Sequence, residues 1–319
     1  MTAFAATQKR LVGAATMFLL AFYPAFAQRL PTSPGLHRGQ TLVYQLELSG
    51  SRSTKAESRV IAPQSAPSVG LNALCLLQVH VEEATVSGLR LKTYLSEKKT
   101  AGPSQSGAAE NSSSPDKLVE VFISSNGSAS RIKGLDQLSA PQQLAWSSWL
   151  SQFASPLTYP KPGVEKGRRW RASEAETADS PIAELSWRRK YEYVRQEACP
   201  LAEQSFPPSQ SDKSFASRQM CAVILVQAQL RQGSPANRST PPDFKLRGLS
   251  TRGTASGTNE TVQYISTASG LIMRSIEDVQ QSMDVTVALA DGSNQVRYLI
   301  NAKSRLQVQL LPDVPQDIR

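Results

Sequence analysis

The stretch Leu74–Glu97, LCLLQVHVEEATVSGLRLKTYLSE, decides the fold. Its first arm places Cys75, Leu77, Val79 and Val81 on one parity and His80 on the other. Its second arm alternates Leu89, Leu91, Thr93 and Leu95 against Arg90, Lys92 and Tyr94. A period of two is the mark of a strand with one buried face. Ser87-Gly88 between the arms is a two-residue hairpin turn. The passage therefore predicts an antiparallel hairpin, and the rest of the chain extends it.

Toward the N-terminus, Thr41–Ser49 alternates Leu42, Tyr44, Leu46 and Leu48 against Val43, Gln45 and Glu47, a further half-buried strand. Ser49-Gly50-Ser51 reads as a turn, with residues 52–62 pairing back and Pro63 to Gly70 as a loop. Toward the C-terminus, residues 98–116 hold no aliphatic side chain larger than Ala and predict a mobile loop. Lys117–Ser124 is a strand, Asn126-Gly127 a hairpin turn, and Ser128–Lys133 its return.

One helix is expected. Ser139 caps it, Pro141 lies in its first turn, and Pro156 ends it. Trp146, Trp149, Leu150 and Phe153 fall on one stripe, as for a helix packed on a sheet. A Pro-rich crossing, Leu157 to Trp170, leads to strands at Ile182–Glu197, Cys221–Leu230 and three more beyond Leu246.

The sum is a mainly β protein: an antiparallel curved sheet or half-barrel of about eleven strands with one packed helix. It occupies residues 39–311 as one domain, with mobile loops at 98–116, 200–217 and 233–243 and a tail at 312–319. The lack of β-α-β alternation excludes doubly wound nucleotide folds.

The N-terminus carries an address. Lys9-Arg10 precedes an uncharged, mostly apolar run, Leu11–Tyr23, then Pro24 and the small-x-small site Ala25-Phe26-Ala27. This is a secretory signal peptide, residues 1–27, cleaved before Gln28. The apolar run makes only about 20 Å of helix, short of the ~30 Å bilayer core. No later run reaches the length of a membrane span, and residues 28–38 read as an extended leader. The destination is the periplasm, cell envelope or medium. Without Lys9 and Arg10 the formal charge of +9 falls to +7, an excess that serves solubility alone or favours anionic envelope partners such as lipid headgroups, and export disfavours nucleic acid.

Export also puts Cys75, Cys199 and Cys221 in an oxidising compartment. Cys199 ends one strand and Cys221 begins the next. The ends of a hairpin loop lie close, so the expected disulfide is Cys199–Cys221, worth roughly 3 kcal/mol. Cys75, within Leu74-Cys75-Leu76-Leu77, is expected as a buried free thiol.

Catalytic signatures are sparse. Nucleotide-binding glycine loops, H-E-x-x-H, the EF-hand loop and G-x-S-x-G are missing. S-x-x-K pairs such as Ser96–Lys99 and Ser130–Lys133 are no more frequent than chance allows. The two histidines, His37 and His80, lie in the leader and on the outward parity of a strand. No catalytic residue, metal site or cofactor is assigned. Two basic-aromatic clusters remain, Arg168–Arg171 around Trp170 and Trp187–Tyr191. In the second, Arg189 shares the strand face of Trp187 and Tyr191, so it must snorkel, pair with a buried acid or line a cavity. Arg189, Trp187 and Tyr191 are the candidate ligand contacts.

Three short features carry a resemblance: Gly39 to Tyr44, Pro160 to Trp170 with its Gly-x-x-Trp ending, and the hairpin around Gly270. Over residues 39–311 the chain resembles a family of exported bacterial proteins to which no activity is assigned. Its architecture is similar to the periplasmic lipoprotein-carrier (LolA-like) half-barrels, with fewer helices and a longer chain. The resemblance implies a curved sheet wrapping an apolar ligand and carries over no site residue. The expectation is an exported non-enzymatic protein that binds a lipid or other amphiphile. The alternatives are a structural or interaction protein of the envelope, or a hydrolase without a recognisable motif.

Overall fold

A computed structural model describes residues 29–31, 34–58, 64–97, 117–171, 176–177, 180–200, 219–233 and 240–312. The signal segment, the 98–116 loop, nearly all of the 200–217 loop and the tail beyond 312 lie outside the described residues.

Thirteen strands form one sheet, antiparallel at every pairing. In chain order they are β1 (Thr41–Ser58), β2 (Gln64–Gly70), β3 (Ala73–Thr85), β4 (Gly88–Glu97), β5 (Lys117–Ser124), β6 (Ala129–Lys133), β7 (Arg169–Arg171), β8 (Glu176–Thr177), β9 (Leu185–Ala198), β10 (Met220–Gln232), β11 (Leu249–Ser266), β12 (Ile272–Leu289) and β13 (Val296–Leu310). The order across the sheet is β6-β5-β4-β3-β1-β13-β12-β11-β10-β9-β7, with β2 beside β1 and β8 beside β9. The sheet is open and does not close into a barrel. Against the expected count of about eleven, residues 52–58 continue β1 instead of forming a strand of their own, and the short strands β2, β7 and β8 add three.

The Leu74–Glu97 hairpin forms as its alternation requires. Cys75, Leu77, Val79 and Val81 are fully buried, and so is Leu91 on the facing strand. The expected turn at Ser49-Gly50-Ser51 does not form. β1 runs straight through it, paired to β13 from Tyr44 to Ser58. Gly50 is there for close backbone approach: a Cβ on it would lie 2.6 Å from the carbonyl oxygen of Lys303. The return strand is β2, where Pro63 to Gly70 was expected as loop. Its Pro67 falls at a register shift on the sheet margin, where a missing N–H costs no ladder bond.

The helix α1 covers Ala140–Ala154 and continues as a 3-10 turn, Ser155–Thr158, that contains Pro156. At its start the Gln142 side-chain oxygen accepts the Ser139 N–H at 3.0 Å, one half of a capping box. Trp146, Trp149, Leu150 and Phe153 are all buried on the sheet. Trp146 also donates through Nε1 to Thr93 Oγ1 at 2.9 Å, and that hydroxyl donates to the Val119 carbonyl at 3.0 Å. A second, five-residue helix, α2 (Pro242–Leu246), stands where the end of the 233–243 loop was expected. Pro242 opens it, because its fixed φ suits a first helical turn.

The sheet curves around α1. Gly127, in the β5–β6 turn, lies so near the helix end that a Cβ on it would be 2.8 Å from Thr158 Cγ2. Ser155 Oγ and Tyr159 OH, on the same stretch of chain, each donate to Gln263 Oε1 of β11 at 3.2 Å. β5 and β11 stand six places apart in the sheet order, about 29 Å if the sheet were flat. Both reach one helix end only because the sheet wraps it. The leader docks beside this core, in a cluster with Tyr159 and Val164. Leu30 is fully buried and its N–H bonds the Val164 carbonyl at 3.0 Å, so these residues are docked rather than merely extended.

Candidate functional site

The concave face changes character along the strands. Nearest α1 it is a closed apolar core, and Tyr44, Leu46 and Leu77 are fully buried there. Beside it a second closed cluster contains Tyr159, Trp170, Tyr191 and Tyr193. Trp170 and Tyr191 stack with ring centroids 5.2 Å apart and an 8° interplanar angle. Tyr191 is thus a buried member of an aromatic core, and Arg168–Arg171 behaves as a strand with its Trp inside. Arg169 faces water and pairs with Glu192 at 2.8 Å.

A polar seam joins α1 to the far strands. The Glu277 carboxylate of β12, only 5% exposed, accepts the Asn259 amide at 2.5 Å, the Gln152 amide at 3.0 Å and the Ser148 hydroxyl. Thr261 Oγ1 donates to Asn259 Oδ1 at 2.9 Å. Buried polar groups are tolerable when paired in this way, and bonds to an ionised acceptor are the stronger ones. None of these residues stood out in the sequence. They share a face only once β11 and β12 are paired in register and the helix is laid across them.

Past the seam, register defines rows of inward-facing residues. The first runs Gly50, Ser304, Val279, Asn259, Ala228, Arg189, and the next begins Arg52, Ala302, Gln281, Gly257. Leu230 and Trp187 complete that second row. Gly257 makes room for Trp187: a Cβ there would lie 3.0 Å from the far edge of the indole and 3.5 Å from Leu230. The Trp187 ring therefore lies across β10, half-buried, with Arg189 half-buried beside it. Of the three candidate contacts, Arg189 and Trp187 border this open region, while Tyr191 is sealed into the core.

The remaining rows are apolar. Thr54, Ile300, Met283 and Ala255 form one, Ala56, Tyr298, Val285 and Gly253 the next, and Ser58, Val296, Val287 and Thr251 the last. Val285 is buried, but Met283, Val287, Tyr298 and Ile300 are only half-buried. The segment 180–184 lies over part of this surface: Ile182 packs with Val285, and the Ser180 hydroxyl meets the Met283 sulfur at 3.9 Å.

The convex face of the same strands is charged. Lys55 meets Glu57 at 2.7 Å, Arg297 meets Glu57 at 3.5 Å and Asp284 at 2.6 Å, and Arg305 meets Asp278 at 3.4 Å. Lys55 holds the Glu57 carboxyl below its ordinary range, and Arg297 does the same for Asp284. Exposed pairs of this kind add little stability. What they establish is sidedness: the convex face of these strands is charged, and the concave rows opposite it are mostly uncharged. A sheet whose outer face met lipid would need the reverse.

Cys199 and Cys221 are bonded, with Cα atoms 4.9 Å apart, and Cys75 is free and buried. The bond fits an exported protein. His80 lies outward on β3, its Nδ1 3.2 Å from Thr41 Oγ1. Among the described residues no helix is long and apolar enough to cross a membrane, and no three His, Cys, Asp or Glu side chains group as metal ligands.

No family model matches the chain, and no curated protein does. Among solved structures, 88% of the chain is similar to lipovitellin, from a study titled for its lipid–protein interactions, at 12% identity and a TM-score of 0.35. The chain spans 26% of the length of that protein. It is similar to the attachment invasion locus protein Ail of Yersinia pestis at 4% identity, covering 85% of this chain and 99% of that one, TM-score 0.13. It is also similar to an outer membrane channel from Pseudomonas putida F1 at 8% identity, covering 87% and 97%, TM-score 0.19. Likeness at this level adds nothing to what the strand pairing defines: a mainly antiparallel, open β sheet around one helix. None of these comparisons bears out the expected likeness to the lipoprotein carriers.

Proposed function

We propose that the protein is an exported, non-enzymatic binder of an amphiphile, whose apolar part lies in the trough formed by β1 and β9–β13. One observation carries the reading. Beyond the rows of Arg189 and Arg52 the inward residues are mostly apolar yet half-buried, while the convex face of the same strands is charged. A two-layer protein with nothing to bind closes such a face against another layer. A concave, mostly apolar surface with a few polar groups at one margin is what small-molecule sites look like. The non-enzymatic part of the reading is supported by Glu277, the most buried carboxylate among the described residues, whose oxygens are engaged in holding the helix.

Native mass spectrometry of residues 28–319, purified from an exporting host and followed by organic extraction, tests it. The expected result is a discrete added mass that extracts as an amphiphile. An Ala255→Trp variant, which fills the trough floor, should fold with unchanged far-UV circular dichroism and lose that mass. A bare protein that gains nothing from incubation with envelope lipids would overturn the reading in favour of an interaction protein.

A further inference from the structure

The outer face of the sheet is unevenly charged. Register traces two neighbouring outward rows across it: Arg188, Gln229, Thr258, Gln280 and Lys303 in one, Lys190, Gln227, Glu260, Asp278 and Arg305 in the next. Toward β13 carboxylates stand among the cations, and Asp278 meets Arg305 at 3.4 Å. At the β9 end they do not. Arg171 of β7 stands directly opposite Lys190, Arg188 follows two residues along β9, and all three are exposed. We propose that this margin of the sheet, the outer face of β7 and β9, docks on the headgroups of an anionic lipid bilayer. The charges define the surface; the choice of a lipid as its partner rests on the amphiphile reading above.

The neighbouring carboxylates are engaged or face elsewhere. Glu192 is held by Arg169 through two bonds, at 2.8 and 3.0 Å. Glu260 lies two strands from Lys190 and accepts the Gln227 amide at 3.2 Å. Glu176 pairs in register with Trp187, which places it in the concave row. Glu184 precedes Arg188 by about 14 Å of extended chain and bounds the patch on that side. Among the described residues no carboxylate forms an ion pair with Arg171, Arg188 or Lys190. Residues 172–175, which contain Glu174, lie outside the described residues.

Like charges directly opposite on neighbouring strands destabilise a sheet. A surface that served solubility alone would intersperse the signs, as the same face does around Arg297, Glu57 and Asp284. Lys166 and Arg168, both exposed in the turn that enters β7, carry the positive charge further along the margin, where Glu165 is paired with Arg29 at 3.0 Å. Clustered cations of this kind bind anionic headgroups, each adding about fivefold. The contact is with headgroups and not with hydrocarbon, so it suits a charged outer face. β9 is also a wall of the trough and carries Trp187 on its other side, so docking here sets the trough beside a source of amphiphile.

Co-sedimentation of the mature protein with sucrose-loaded vesicles tests the surface, using phosphatidylcholine alone and phosphatidylcholine with about a third phosphatidylglycerol. Binding is expected only to the second, weakening as salt shortens the Debye length below about 8 Å. Arg188→Gln combined with Lys190→Gln, at exposed positions, should keep its far-UV circular dichroism and bind about 25-fold more weakly. Lys303→Gln combined with Arg305→Gln removes two charges from the same two rows four strands away, about 19 Å if the sheet were flat. That variant should stay within about threefold of the parent. Equal losses for the two pairs would mean that net charge alone acts, and would overturn the patch. Equal binding to both kinds of vesicle, or to neither, would overturn the docking surface, and binding to heparin without binding to vesicles would replace the lipid by a polyanionic chain. Native mass spectrometry of the same protein reads the bound amphiphile separately, so either reading can fail while the other stands.

Discussion

Glu277→Ala measures how α1 is held. The carboxylate accepts from Asn259, Gln152 and Ser148, and Asn259 and Gln152 are 6% and 1% exposed. Removing it leaves two buried amides and a half-buried hydroxyl without that acceptor. A buried polar group left unpaired costs about 1–3 kcal/mol. The Ser148 hydroxyl can rotate toward its own helix backbone, so the two amides dominate and the sum is about 3–5 kcal/mol. Glu277→Gln keeps one acceptor oxygen and should cost about 1–2 kcal/mol, since the bonds lose their ionised partner but not all their geometry. Urea unfolding followed by tryptophan fluorescence is the assay, because Trp146 and Trp149 lie on the helix. The expected signature is a lowered midpoint with an unchanged slope. A loss under about 1 kcal/mol for Glu277→Ala, or a Gln variant as damaged as the Ala variant, would refute the seam as the anchor of the helix.

Two further predictions concern local environment. Burial pushes the Cys75 thiol up to about 11, with the Glu97 charge adding to the effect. The thiol is therefore protonated throughout the neutral range, and its reactivity should rise only as pH climbs toward that value. Ellman's reagent should find no accessible thiol in the native protein at pH 8 and one in denaturant; native labelling at that pH would contradict the packing of β3. Gly50→Val should cost at least about 2 kcal/mol in urea unfolding, because its Cβ would press on the backbone of β13. A neutral effect would mean that β1 turns at Gly50 instead of running through it.

How much was legible follows from the range of each signal. The Leu74–Glu97 hairpin, the Trp146–Phe153 stripe and the Cys199–Cys221 bond are written in residues near one another, where period and turn chemistry act. Gly50 misled because a turn and a close strand crossing call for the same residue, and only the partner strand tells them apart. Glu277, Asn259, Gln263 and Gln152 carry no local pattern that marks them. Each is an ordinary polar residue until β11, β12 and α1 are brought together.

By itself the sequence determined a mainly antiparallel β chain with one packed helix, and the disulfide expected between its neighbouring strands. Tertiary structure decided that β1 pairs with β13, that the sheet wraps α1, and that Arg52 and Arg189 face one trough from opposite walls. The division has a physical cause. Alternation and turns are set by the backbone within a few residues. Strand order and curvature are set by burial of apolar area, which is non-directional and indifferent to separation along the chain, so they exist only in the folded whole.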